Sequence, residues 1–226
     1  MLDGLFPDGV VTAWGDPLEP SAGLLPEEEA LVARAVPKRK LEFAKGRECA
    51  RRALASFGLR DVLLLSGKDR EPLWPAEVTG SITHTAGLCA VAVAASNRYV
   101  GLGIDAEPAE SLERGVAERV CRGDDDRSWR RIASLESSVL PRLVFSVKEA
   151  VYKCLFPITR TFLGFDQVSV ELDEGAFRAT LRIAAPPFRP GTVFAGRWRR
   201  VPGVRDTASH LIAGAWIVAE TSSRVQ

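Results

Sequence analysis

Pro141-Arg142-Leu143-Val144-Phe145-Ser146-Val147-Lys148-Glu149-Ala150-Val151-Tyr152-Lys153-Cys154-Leu155-Phe156 opens on a proline, the residue best suited to the first turn of a helix, and then runs without glycine or a second proline. Stepping about 100° per residue from Leu143 brings Val147, Ala150 and Cys154 within roughly 40° of it and gathers Phe145, Tyr152 and Phe156 on the opposite side. Apolar side chains on two faces predict a helix buried nearly all round. Lys148, Glu149 and Lys153 nevertheless sit on it, and buried charges require partners. Glu149 and Lys153, four apart, either pair with each other for about 0.2–0.5 kcal/mol or belong to a site that other elements complete.

Working outward, Gly103-Ile104-Asp105-Ala106-Glu107-Pro108 ends an apolar strand, and the period of two turns both carboxylates to one face. Such a pair is either a solvated strand end or part of a Mg²⁺ site, since Mg²⁺ takes one or two protein carboxylates and completes its shell with water and substrate phosphate. Glu149 would be a third acid, with Lys148 and Lys153 to stabilise phosphate oxygens. His84, in Ser81-Ile82-Thr83-His84-Thr85-Ala86-Gly87, lies beside hydroxyls and a glycine; it is either structural or a phosphate ligand.

Residues 1–25 read as irregular, with Pro7, Pro17 and Pro20 between short apolar pieces. A helix is predicted from Pro26, where Glu27, Glu28 and Glu29 suit the positive end of the helix dipole. A second runs from Pro37 to Phe57 with a stripe of Phe43, Ala50, Leu54 and Phe57. Arg39 and Arg47 fall on that inward face and must meet either a glutamate or an anionic ligand, whereas Lys38, Lys45 and Arg52 fall toward solvent. Strands are predicted over 61–65, 81–84, 88–95 and 99–107, with a turn at Ser66-Gly67-Lys68-Asp69-Arg70. Residues 111–140 read as polar and helical, with Asp124-Asp125-Asp126 in a first turn before Trp129. Further strands are predicted over 168–173, 176–183, 192–199 and 210–219.

Helix followed by several strands thus occurs twice, which predicts an α+β fold of two similar halves, 1–110 and 111–226, each a helix plus a small antiparallel sheet. A likeness between residues 81–94 and 209–219, each a Ser and a His before an apolar strand of small residues, points to internal duplication.

Composition bounds the function. The chain has 226 residues, 46% hydrophobic and 26% charged, with 30 Lys plus Arg against 29 Asp plus Glu. That is a globular chain of one or two domains, and a net charge of +1 removes the long-range argument for nucleic acid or an anionic membrane as partner. Only 6 of the 30 basic residues are Lys, and they cluster at 38–45, 68 and 148–153. Where arginine is the default cation, such lysines mark positions suited to a compact point charge. Cys49, Cys89, Cys121 and Cys154 form no CxxC pattern and read as small hydrophobes in a reducing compartment. The acidic N-terminal residues Asp3 and Asp8 do not resemble a signal peptide, no apolar run approaches the ~20 residues of a membrane span, and a cytoplasmic monomer is expected.

Gly-Ile-Asp-x-Glu at 103–107, followed by Phe-Ser-x-Lys-Glu-Ala-x-Tyr-Lys at 145–153 and preceded by Trp74-Pro75 and Gly80-Ser81-Ile82-Thr83-His84, resembles the 4′-phosphopantetheinyl transferase superfamily, in its larger single-chain branch serving polyketide, nonribosomal peptide and siderophore synthesis. The resemblance runs from Pro37 to Leu163. It implies two α+β halves related by a pseudo-twofold with the cofactor between them. It also implies transfer of the phosphopantetheine arm of coenzyme A to a serine of an acyl or peptidyl carrier protein, releasing 3′,5′-ADP. Asp105, Glu107 and Glu149 would hold Mg²⁺, or Mn²⁺, on the pyrophosphate, and Glu149 would be the base for the carrier serine. Lys153 would stabilise the departing phosphate with Lys148 nearby, while Thr83, His84, Arg39 and Arg47 would grip coenzyme A. Relatives carry a lysine just before the turn glycine; here Lys68 follows Gly67, so a nucleotide role for Lys68 or Arg70 is an open departure from the pattern. Arg127, Arg130, Arg131 and Arg142 are available for an acidic carrier. The same acids would also serve Mg²⁺-dependent phosphoryl or nucleotidyl transfer to a small molecule, and a non-catalytic coenzyme A-binding protein would dispense with Glu149.

Overall fold

The elements in chain order are β1 (Val10–Gly15), α1 (Pro26–Val32), α2 (Pro37–Ala55), β2 (Val78–Thr85), β3 (Leu88–Ala95), β4 (Tyr99–Pro108), α3 (Arg114–Val120), α4 (Leu140–Thr159), β5 (Val168–Asp173), β6 (Ala176–Leu181), β7 (Val193–Val201) and β8 (His210–Val218). The computed structural model describes residues 1–122, 125–205 and 208–219, with the backbone alone at 126–128. Two antiparallel sheets result, one ordered β1-β3-β2 and the other β4-β8-β7-β6-β5.

α1 begins at Pro26 as the acids predict, and one of them does more than face a dipole. Glu28, fully buried, accepts hydrogen bonds from the amides of Leu25 and Leu64 at 3.1 Å each and a two-oxygen pair from Arg51 at 2.9 and 3.0 Å. These bonds and the Arg51 charge hold its carboxyl below the usual range, against the opposing effect of burial. α2 lays Cys49, Ala50, Ala53 and Leu54 on the three-stranded sheet, where Val78, Val91 and Val93 meet them. Each fully buried Leu or Val there contributes about 1.5–3 kcal/mol.

Several expectations are corrected. The stretch 10–15, read as irregular, pairs with β3 from Val10↔Ala94 to Gly15↔Cys89. Residues 61–65 form no strand; only an isolated bridge, Ser66↔Pro72, follows them. Lys45, placed toward solvent by helical angle, is buried, and its ammonium donates to the Pro20 carbonyl at 2.9 Å and to Glu48 at 3.1 Å. The segment before α1 folds back over α2 and covers that face, which periodicity on one helix does not register. Between 111 and 140 the helical reading holds only for α3 and a 3-10 helix over Asp125–Arg131. Asp124 lies outside the described residues.

α4 is buried as its two apolar faces predict, with Leu143, Val144, Val147, Ala150 and Val151 against the five-stranded sheet. The contact with β4 is made backbone to backbone at two glycines. A Cβ on Gly103 would stand 1.8 Å from the Ala150 carbonyl oxygen, and one on Gly101 would stand 2.8 Å from that of Cys154. A glycine in a strand here marks the close approach of another backbone.

The two sheets meet where β2 lies beside β4 without a backbone ladder. Instead the Ser81 hydroxyl accepts from the Ile104 amide and the Thr83 hydroxyl from the Ala106 amide, both at 3.1 Å. Residue numbers rise together along that seam, so β2 and β4 run parallel there. β4, on the N-terminal side of the division at residue 110, is laddered to β8 from Tyr99↔Val218 to Pro108↔His210. The buried His210 reaches back across the seam to hydrogen-bond the Ala86 carbonyl at 2.7 Å, in the turn that follows His84.

Candidate active site

Asp105 lies on the seam between the two stitched amides and is 5% exposed. Oδ1 accepts from Lys153 Nζ at 2.7 Å and from the Thr83 hydroxyl at 3.2 Å, while Oδ2 is buried with no hydrogen-bond partner. Lys153 also donates to the Ile104 carbonyl at 3.3 Å. Glu107, two residues along the same face, pairs with Arg142 at 2.9 Å. Glu149 sits one turn before Lys153 on α4, beside the Gly103 crossing.

Three carboxyls in one half-buried place burden each other. Burial pushes Glu107 above the usual carboxylate range and the Asp105 charge adds to it, with Arg142 opposing; Glu149 is raised by burial and by Asp105, with Lys153 opposing. Among the described residues no group of three or more His, Cys, Asp or Glu closes tightly enough to enclose a metal alone. The donor set still suits a hard cation: an orphaned carboxylate oxygen of Asp105, with two acids whose charge is only partly matched, is what Mg²⁺ uses when substrate oxygens and water complete its octahedron.

A cleft of about 680 Å³ opens from Asp105 and Lys153 toward α2, lined by Arg39, Phe43, Arg47, Arg70, Thr83 and His84, with Leu31 and Val32 of α1 as an apolar wall. Arg47 is buried, stacks 4.2 Å over the Phe43 ring, reaches the Ser66 hydroxyl at 3.2 Å, and leaves Nε unpartnered. Burial lowers its guanidinium to about 10, so it stays charged at neutral pH. Arg39 stands at the rim with its side chain 43% exposed and hydrogen-bonds the His84 ring. The inward angles predicted for these two arginines thus bring both to one anion-sized opening.

Residues 27–94 match the family model of the 4′-phosphopantetheinyl transferase N-terminal domain, and residues 101–198 match that of the 4′-phosphopantetheinyl transferase superfamily. The chain belongs to the 4′-phosphopantetheinyl transferase superfamily. The 4′-phosphopantetheinyl transferase Svp of Streptomyces mobaraensis is 41% identical to it, over 98% of this chain and 94% of Svp. Npt of Nocardia iowensis is 36% identical over 92% of this chain and 98% of its own, and PptT of Mycobacterium tuberculosis 35% identical over 86% and 88%. This protein is a 4′-phosphopantetheinyl transferase.

In this phosphopantetheinyl transferase the residues expected at the site divide. Asp105, Thr83, His84, Arg39, Arg47, Arg70 and Lys153 line one cleft, and Glu107 and Glu149 adjoin it through Asp105. Lys68 is exposed and is not part of the cleft. Lys148 is elsewhere too: it is 4% exposed, and its ammonium donates to the carbonyls of Val120 at 2.7 Å and Phe165 at 2.6 Å and to Asp125 at 2.7 Å. The expected phosphate contact is replaced by a buried clasp, because neighbours on a helix stand about 100° apart and cannot share a face with Glu149. Arg142 is engaged by Glu107, the side chain of Arg127 lies outside the described residues, and Arg130 and Arg131 are exposed.

Two contributors escaped the sequence reading. Arg142, set down as surface, is the cation of Glu107. Glu42, on α2 between the two inward arginines, enters the cleft as an acid; its place three residues after Arg39 was the available signal.

Proposed function

We propose that the protein transfers 4′-phosphopantetheine from coenzyme A to a serine of an acyl or peptidyl carrier protein, with Mg²⁺ or Mn²⁺ on the pyrophosphate and 3′,5′-ADP as the leaving group. The observation that carries this is the adjacency, at Lys153 and Asp105, of a cation-lined cleft and a cluster of partly uncompensated acids. The cleft suits the phosphates of coenzyme A, gripped by Arg39, Arg47 and His84 with Thr83 and Arg70 beside them, and the apolar wall suits a nucleotide base. A divalent cation held by Asp105, Glu107 and Glu149 supplies neutralisation of pyrophosphate charge.

Glu149 takes the proton from the carrier serine, directly or through water, and its raised proton affinity favours that role. The serine oxygen then forms its bond to the phosphorus bearing the pantetheine as the bond to the ADP oxygen breaks. Lys153, already held by Asp105, stabilises the charge on the departing phosphate. The same reading carries two α+β halves related by a pseudo-twofold, divided near residue 110. It also carries a cytoplasmic monomer serving polyketide, nonribosomal peptide or siderophore synthesis.

The test is intact-mass measurement of an apo carrier protein incubated with coenzyme A, Mg²⁺ and the enzyme. Wild type should add one phosphopantetheine and Glu149→Gln none. Failure across fatty-acid, polyketide and peptide carriers, with coenzyme A demonstrably bound, would overturn the reading in favour of a small-molecule acceptor.

A further inference from the structure

Glu42 is an acid in a cleft otherwise lined by cations, and the reaction as proposed has no use for it. Its side chain is 10% exposed, with Oε2 3.4 Å from His84 Nδ1 and 3.9 Å from Arg39 Nη1, and Oε1 3.9 Å from Lys38 Nζ. On the far side of the imidazole, Arg39 Nη1 hydrogen-bonds His84 Nε2. A guanidinium has only donors, so Nε2 is the acceptor and carries no hydrogen. The ring's hydrogen is therefore on Nδ1, facing the Glu42 carboxylate. Two neighbours of opposite sign fix one tautomer.

That tautomer is the wrong one for an anion. A phosphate oxygen arriving at Nε2 would meet a lone pair with a lone pair. Turning Nε2 into a donor requires either moving the hydrogen off Nδ1, which breaks the bond to Glu42, or adding a second one.

We propose that Glu42 is a positioning residue that couples phosphate binding to protonation: with Nδ1–H held on Glu42, His84 engages a coenzyme A phosphate by taking one proton from solvent onto Nε2 as Arg39 passes from the ring to the phosphate. The inference rests on the coenzyme A reading above. The resulting imidazolium lies between two anions, the Glu42 carboxylate and the phosphate. Burial, and next the Arg39 charge, lower the ring's proton affinity in the free protein, so it starts neutral. Lys153 on α4 and Asp105 on β4 act on it with opposite signs from longer range, as Arg39 and Glu42 do from α2. A bound phosphate reverses the balance. Without the Glu42 carboxylate the ring can place its single hydrogen on Nε2, and binding needs no proton.

The experiment is calorimetric titration of coenzyme A into metal-free protein near pH 8, above the second phosphate pKa of about 6, in buffers of different ionisation enthalpy. Wild type, Glu42→Gln and His84→Gln are compared. Wild type should take up more protons per coenzyme A than His84→Gln, the excess approaching about one, and Glu42→Gln should lose that excess. Equal uptake by wild type and His84→Gln overturns the proposal, as does a Glu42→Gln protein that keeps the wild-type excess. ¹⁵N shifts of the His84 ring read the tautomer directly and need no variant: Nδ1–H in the free wild type supports the proposal, and Nε2–H overturns it. No binding of coenzyme A by wild type would instead remove the functional reading on which it rests.

Discussion

Replacing Gly103 with alanine tests how the site is built. The new Cβ would stand 1.8 Å from the Ala150 carbonyl oxygen, 2.8 Å from the Cys154 nitrogen and 2.9 Å from the Ala150 carbonyl carbon. Carbon and oxygen come no closer than about 3.3 Å without strain, so α4 must retreat from β4 by roughly 1.5 Å. All three obstructing atoms are helix backbone, and no rotamer change relieves them. Overpacking of this kind costs typically 1–3 kcal/mol; at about 3 kcal/mol, a chain of this size loses roughly 6–12 °C in Tm. The retreat draws Glu149 and Lys153, which flank Ala150 on the same helix, away from Asp105, and a misplacement of about 1 Å costs on the order of a hundredfold in rate. Thermal unfolding and carrier loading by intact mass should show both losses. Gly101→Ala, with its nearest atom at 2.8 Å, should show a smaller version. Gly115→Ala, on α3 with nothing within 4 Å, should lose nothing. A Gly103→Ala protein with wild-type Tm and loading would refute the backbone contact between α4 and β4.

Three more perturbations separate structural from functional charges. Lys148→Met strips a buried pair and strands Asp125; a loss of about 3–5 kcal/mol should appear in chemical denaturation with KM for coenzyme A unchanged, whereas a raised KM at wild-type stability would restore Lys148 to the phosphates. Glu28, with its folded proton affinity depressed below the unfolded 4.5, contributes stability fully present above pH 4.5 and lost as pH falls through the lower folded value. The denaturation midpoint of wild type should therefore drop toward that of Glu28→Gln as pH falls below 4.5, and curves that stay parallel would refute the clasp. Glu107 and Glu149 have the opposite sign: raised above 4.5, they favour the fold when protonated and lose that contribution as pH rises through their folded values. Mg²⁺ should accordingly raise Tm at neutral pH, by an amount worth about 2.7 kcal/mol at a hundred times its Kd, and have no effect below pH 4.5 or on Glu149→Gln.

What could be read from sequence follows the range of the forces involved. α4 and the strands from residue 78 onward were legible because hydrophobic period is local, and Asp105, Glu107, Glu149 and Lys153 because each stands at a fixed offset within such an element. Arg39 and Arg47 were legible by angle on α2. Residues 10–15 were not, because that strand exists through its pairing with β3 some eighty positions on. Lys45 was misplaced because its cover comes from the segment around Pro20. Lys148 was drawn into the site by sequence adjacency to Glu149, although a helix points neighbours apart. Glu42 and Arg142 acquire meaning only when His84 and Glu107 are brought to them, and no pattern on one element carries that. Gly101 and Gly103, two apart on one strand face, were a signal of close approach that went unused.

The seam between β2 and β4 makes the two halves unequal partners for recombination. Its donors are backbone amides, at Ile104 and Ala106, which any residue but proline supplies; its acceptors are the side chains of Ser81 and Thr83, which few residues can replace. A chimera joining this N-terminal half to the β4 of a related chain brings its own stitches. The reciprocal chimera works only where the donor chain places hydroxyls two apart on its second strand. Because Asp105 lies between the stitched amides, whatever restores the seam also sets the depth of the acid, so interchangeability of halves and integrity of the catalytic centre are one constraint.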